Sequence, residues 1–157
     1  MSLKKDKYNN KDKLYMNLAL KLASARHGLT GPNPSVGCVI VKNDQIISIG
    51  QTGFGGRPHA EYNAIKSSHE NLKGSKMYVT LEPCNHYGKT PPCTNIIVSN
   101  KIKKVFYGIE DIDLKVKGKT SIILKSKNII VKKGLLSKKI KSFYEPYMYN
   151  RKFKIPY

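Results

Sequence analysis

The chain has no tryptophan, three cysteines, and only 10 acidic residues against 29 Lys and Arg. An odd cysteine count excludes a complete disulfide framework. Residues 1–13 are Lys- and Asn-rich without the apolar stretch of a secretory leader, so no export signal is expected. Together these point to a reducing, cytoplasmic compartment in which thiols serve metals. No apolar run reaches the length of a membrane span, and none is predicted. Arginine is scarce as well, limited to Arg26, Arg57 and Arg151. Bidentate readers of phosphates and bases favour Arg, so the net charge of +19 reads as a solvated Lys-rich surface, although lysines also neutralise phosphates. A G-x-G-x-x-G segment is missing too, and with it the commonest dinucleotide fingerprint.

What is present suits one domain. A chain of 157 residues buries roughly 70% of its unfolded surface. Residues 1–12 read as a polar extension, leaving 13–157 as a single domain. Leu14, Met16, Leu18, Ala19, Leu22, Ala23 and Ala25 give helical periodicity that Gly28 stops. Val36 to Val41 and Ile46 to Ile49 read as a hairpin around Asn43-Asp44. A Gly-rich loop leads to a helix from His59 to near Asn71. Strands follow at Met77–Leu81, Val105–Ile109 and Ile129–Val131, with helices at Cys93–Asn100 and Thr120–Ser126 between them. A last helical stripe, Leu135 to Tyr144, is disturbed at Pro146. The order predicts a mixed five-stranded sheet covered by helices, its last three strands parallel.

The chemistry gathers at His59-Ala60-Glu61, Pro83-Cys84 and Cys93. A catalytic zinc takes three nitrogen or sulfur ligands and keeps a fourth position open; His59, Cys84 and Cys93 can supply them. Glu61, not needed as a ligand, is then free to move protons. This is close to the H-x-E…P-C-x-x-C signature of zinc deaminases, except that eight residues separate the two cysteines here. Cys38 lies in an apolar strand and reads as a small core residue. Glu82 precedes Pro83 and reads as a loop organiser. Tyr144, Tyr147 and Tyr149 read as packing.

Three stretches carry a resemblance: Pro32-Asn33-Pro34-x-Val36-Gly37-Cys38, Pro58-His59-Ala60-Glu61, and Val79 to Cys93 with its E-P-C-x-H-x-G-K-T-P-P-C run. From about Leu14 onward the chain resembles the pyrimidine deaminase domain of riboflavin biosynthesis. The resemblance implies a cytidine-deaminase-like α/β/α sandwich. It also implies Zn2+ as cofactor and a pyrimidine ribosyl phosphate as substrate. By the same resemblance Asn33 meets the pyrimidine edge, His86, Lys89 and Thr90 face substrate, and Asp111 accepts from ribose hydroxyls. Two positions depart from the family: Asp113 replaces an Asn that contacts substrate, and Thr52 stands where many members have His. Members often continue into a reductase domain. Ile155-Pro156-Tyr157 resembles its start, so a separate reductase chain is expected as a pathway partner, and the Tyr-rich end is a candidate surface for docking it or for homo-oligomers. Two other readings are a tRNA-type deaminase and a Lys-rich structural zinc module binding nucleic acid, with His86 as a fourth ligand.

Overall fold

The computed structural model describes residues 8–155. Most of the expected N-terminal extension, residues 1–7, and Pro156-Tyr157 lie outside the described residues. The elements are α1 (Asn10–Ala25), β1 (Gly37–Lys42), β2 (Gln45–Gln51), α2 (Ala60–Ser67), β3 (Lys76–Leu81), α3 (Cys93–Ser99), β4 (Lys104–Ile109), α4 (Lys119–Ser126), β5 (Ile130–Lys133) and α5 (Ser137–Phe153). They build one five-stranded sheet in the order β2-β1-β3-β4-β5. β1 is antiparallel to both neighbours, and β3, β4 and β5 run parallel. This is the expected mixed sheet, and the parallel half follows from the helical crossovers that parallel neighbours need.

Both faces of the sheet are covered, which explains why its central strands read as continuous apolar runs instead of alternating. Every residue from Cys38 to Val41 in β1 and from Met77 to Leu81 in β3 is buried. α1 and α5 share one face, linked by Lys139 Nζ donating to Asn17 Oδ1 and by the His27 ring against Phe143. α2, α3 and α4 take the other. Gly50 sets the spacing there. A Cβ on it would sit 2.3 Å from the Ala60 carbonyl oxygen and 2.4 Å from the Ala64 nitrogen, so only glycine lets α2 lie this close to β2.

Three boundaries differ from the sequence reading. α1 starts at Asn10, inside the stretch read as an extension. Asn9 caps it by accepting from the Asp12 N–H at 2.8 Å, while Asp12 accepts back from the Asn9 N–H at 3.3 Å, a reciprocal capping box. Asp12 is itself buried, where the Tyr78 hydroxyl donates to it at 2.7 Å. α2 ends at Ser67, four residues short of Asn71. α5 continues through Pro146 to Phe153; Pro146 and Ser142 are both exposed, so water can serve the Ser142 carbonyl that proline leaves without its helical donor.

Candidate active site

Three chain segments end at one place. β3 runs out at Leu81 and delivers Glu82, Pro83 and Cys84. His59 is the N-cap residue of α2, in extended conformation, and Glu61 lies in that helix's first turn. Cys93 opens α3. His59 Nδ1 lies 3.5 Å from Cys84 Sγ and 3.5 Å from Cys93 Sγ, and the three ligand atoms fall within 4.8 Å of one another. A tetrahedral zinc with ordinary Zn–N and Zn–S bonds separates nitrogen from sulfur by ~3.6 Å, so the donor set fits the ion. A closed structural site takes four protein ligands. The cluster has three among the described residues, and His86 is not one of them.

The electrostatics match that role. The Cys84 thiol is lowered to about 4, first by the hydrogen bond from the Cys93 thiol, helped by His59 and by the Cys93 N–H, which reaches its sulfur at 3.1 Å. Cys93 is raised in turn, first by its hydrogen bond to Cys84 and then by burial. His59 is raised, chiefly by its hydrogen bond with Cys84. Glu61 is 4% exposed, and burial is the main reason its carboxyl is raised to about 7; the His59 charge pulls it down and the Cys84 charge pushes it up. A carboxyl in that range can both take and give a proton near neutral pH.

Glu82 supports the floor without joining it. It is buried and accepts from the backbone N–H groups of Asp111 (3.1 Å), Gly118 (3.1 Å) and Thr120 (3.2 Å). Burial raises its carboxyl, against the pull of those three bonds. It thereby fastens the loop after β4 and the start of α4 to the end of β3. Asn85 adds to the fastening through its Nδ2, which donates to the Val116 carbonyl and the Thr120 hydroxyl, both at 2.9 Å. Cys38 is fully buried and lies outside the three-ligand cluster.

A cleft of about 210 Å³ opens over this floor. Asn33, His86 and Asp111 line it together with His59, Glu61 and Cys84. Asn33 is steadied by donating to the Gly56 carbonyl at 3.1 Å; Gly56 has φ +100°, and a Cβ there would meet Asn33 Nδ2 at 2.5 Å. His86 Nδ1 is buried without a hydrogen-bond partner among the described residues. Lys89 and Thr90 stand outside the lining and are exposed; the Thr90 hydroxyl accepts from Arg57 Nη1 at 2.7 Å. Thr52 is buried in the cleft wall, where its hydroxyl accepts from the Val36 N–H at 2.8 Å. The sequence reading missed Arg57, Arg151 and Tyr147 as lining residues. For the arginines the available signal was their scarcity. A wider groove of about 1260 Å³ runs beside α5 past Met148, Tyr149 and Phe153. It meets the cleft at Pro32, Asp113 and Arg151 but is lined by none of His59, Glu61, Cys84 and Cys93.

Three zinc-type ligands beside a buried carboxyl raised to about 7, mounted on a β2-β1-β3-β4-β5 sheet between two helical layers, fit the class of zinc-dependent deaminases. The comparisons narrow it. The cytidine and deoxycytidylate deaminase zinc-binding region matches residues 9–109. A diaminohydroxyphosphoribosylamino-pyrimidine deaminase of Buchnera aphidicola (subsp. Schizaphis graminum) is 47% identical over 133 residues, covering 85% of this chain and 90% of that protein. The riboflavin biosynthesis protein RibD of Bacillus amyloliquefaciens is 42% identical over 93% of this chain, which spans only 39% of it. The crystal structure of a diaminohydroxyphosphoribosylaminopyrimidine deaminase/5-amino-6-(5-phosphoribosylamino)uracil reductase from Thermotoga maritima superposes with TM-score 0.84 at 37% identity, over 94% of this chain and 43% of that one. The chain belongs to the diaminohydroxyphosphoribosylaminopyrimidine deaminase family, within the cytidine-deaminase-like fold. It is a zinc-dependent pyrimidine deaminase. Among the described residues no helix is long and apolar enough to cross a membrane.

Proposed function

We propose that the chain hydrolyses 2,5-diamino-6-ribosylamino-4(3H)-pyrimidinone 5′-phosphate to 5-amino-6-(5-phosphoribosylamino)uracil and ammonia, in riboflavin biosynthesis. The observation that carries this reading is the convergence of Cys84 and Cys93 on His59 Nδ1 despite their eight-residue separation. The loop of that separation supplies His86 to the cleft wall.

In this reading His59, Cys84 and Cys93 hold the metal. Zinc, when bound, supplies the Lewis acidity that makes hydroxide available near neutral pH. Glu61 takes the proton of the attacking water on a carboxylate oxygen. It passes that proton to the ring nitrogen as the carbon–oxygen bond forms. Glu61 then takes the remaining proton of the hydroxyl now on the ring carbon and gives it to the exocyclic nitrogen; the carbon–nitrogen bond breaks, the carbonyl forms, and ammonia leaves. Such shuttling contributes ~10²–10⁴-fold. Asn33 offers a donor and an acceptor for the pyrimidine edge, and Asp111 an acceptor for ribose hydroxyls. His86 serves as a further substrate contact from the cleft wall, and Lys89 and Thr90, on the exposed loop outside the lining, as contacts at its mouth. The test is to incubate pure protein with the ribosylaminopyrimidine phosphate, with cytidine and with tRNA, and to measure ammonia. Release from the first alone is expected; release from tRNA alone would overturn the assignment.

A further inference from the structure

Arginine is the rarest basic side chain here, and all three copies attach to the cleft or to the turn behind it. Arg57 and Arg151 line it. The Arg26 guanidinium stacks 3.8 Å over the Phe54 ring, in the Phe54–Gly56 turn that leads into Arg57. In a chain that places Lys nearly everywhere else, this placement is informative. A guanidinium presents a planar fork that matches a phosphate in two directions at once, which an ammonium cannot do.

The contacts leave that fork available. Arg57 is half-buried, and among the described residues no carboxylate pairs with it; one nitrogen holds the Thr90 hydroxyl. Arg151 reaches the cleft from the last turn of α5. Its Nη2 lies 3.1 Å from Asp113 Oδ2, and the other Asp113 oxygen accepts from the Lys115 N–H at 3.0 Å. Each guanidinium has five N–H donors, and each of these contacts uses one nitrogen. Asp113 alone would repel an anionic ligand. Paired with Arg151, it anchors a cation at the mouth of the cleft instead.

We propose that Arg57 and Arg151 form the phosphate grip of this enzyme and set its preference for a phosphorylated over an unphosphorylated ribosyl pyrimidine. Asp113 positions Arg151, and Thr90 positions Arg57. The proposal rests on the ribosyl phosphate reading above, and it assigns the phosphate to two residues that neither the sequence motifs nor that reading name.

The test is to titrate the full, zinc-loaded chain with ribose 5-phosphate and with ribose, by calorimetry at low salt. The variants are Arg57→Ala, Arg151→Ala and Arg57→Lys. Wild type should bind ribose 5-phosphate and not ribose. Each alanine variant should weaken that binding on the order of 10- to 100-fold, the range of a lost charged hydrogen bond. Arg57→Lys should recover part of the loss, and zinc content should stay at the wild-type level in all three. In turnover the alanine variants should raise KM for the phosphorylated substrate by the same factor while kcat holds, with KM for the unphosphorylated ribosyl pyrimidine unchanged. No ribose 5-phosphate binding by wild type, or wild-type affinity in either alanine variant, would overturn the proposal. Arginine-dependent binding of ribose 5-phosphate without ammonia release from the pyrimidine would leave the grip standing and sink the deaminase assignment.

Discussion

The floor of the cleft and its rim are built in opposite ways. On the floor, His59, Glu61, Glu82, Cys84 and Cys93 sit at the ends of α2, β3 and α3, and their polar groups are bonded to backbone or to each other. At the rim, Arg57 and Arg151 hang on single side-chain contacts to Thr90 and Asp113, with both partners at least partly exposed. The floor fixes chemistry, where a small displacement of a proton carrier is costly. The rim has to admit a substrate and let a product leave, and exposed charge pairs add little stability.

Four substitutions sharpen this contrast, in descending order of effect. Cys93→Ser should remove both zinc and activity, since among the described residues the cluster has no fourth protein ligand to replace it; metal analysis with an ammonia assay reads both, and full zinc occupancy would break the ligand assignment. Glu82→Ala should orphan the three backbone N–H groups it now satisfies, at a cost on the order of 3 kcal/mol, seen as a lowered thermal midpoint. An unchanged midpoint would mean that water replaces the carboxylate there. Gly50→Ala should push α2 off β2, because the contact is with backbone and not with a flexible tip. Overpacking of this kind costs ~1–3 kcal/mol, and kcat should fall with it because His59 and Glu61 ride on α2. Asp113→Ala should barely move the midpoint, as the 24%-exposed Asp113 carboxylate faces an Arg151 side chain that is 46% exposed. Such pairs are worth ~0.2–1 kcal/mol. A drop as large as that of Glu82→Ala would erase the distinction between floor and rim.

The same division governs what could be read from sequence. His59, Glu61, Cys84 and Cys93 announce themselves because zinc restricts ligand type and the helix and strand ends restrict position. The order of strands and the parallel half of the sheet follow from apolar runs and intervening helices. The start of α1 was hidden because its capping box lies in a polar stretch, and because the hydroxyl that bonds buried Asp12 belongs to Tyr78, 66 residues away. α5 was cut short by a rule about proline that an exposed helix face relaxes. The rim was illegible for a stronger reason. Arg57 meets Thr90 across 33 residues and Arg151 meets Asp113 across 38, distances at which no local pattern records a pairing.

The central claim is that buried Glu61 moves the protons while His59, Cys84 and Cys93 hold the metal. Ammonia release from the ribosylaminopyrimidine phosphate, measured for wild type and Glu61→Gln at matched zinc content, tests it most directly. The amide keeps the shape of the carboxyl but cannot shuttle protons, so the variant should keep its zinc and lose ~10²–10⁴-fold in kcat. Wild-type turnover by zinc-loaded Glu61→Gln would contradict the account.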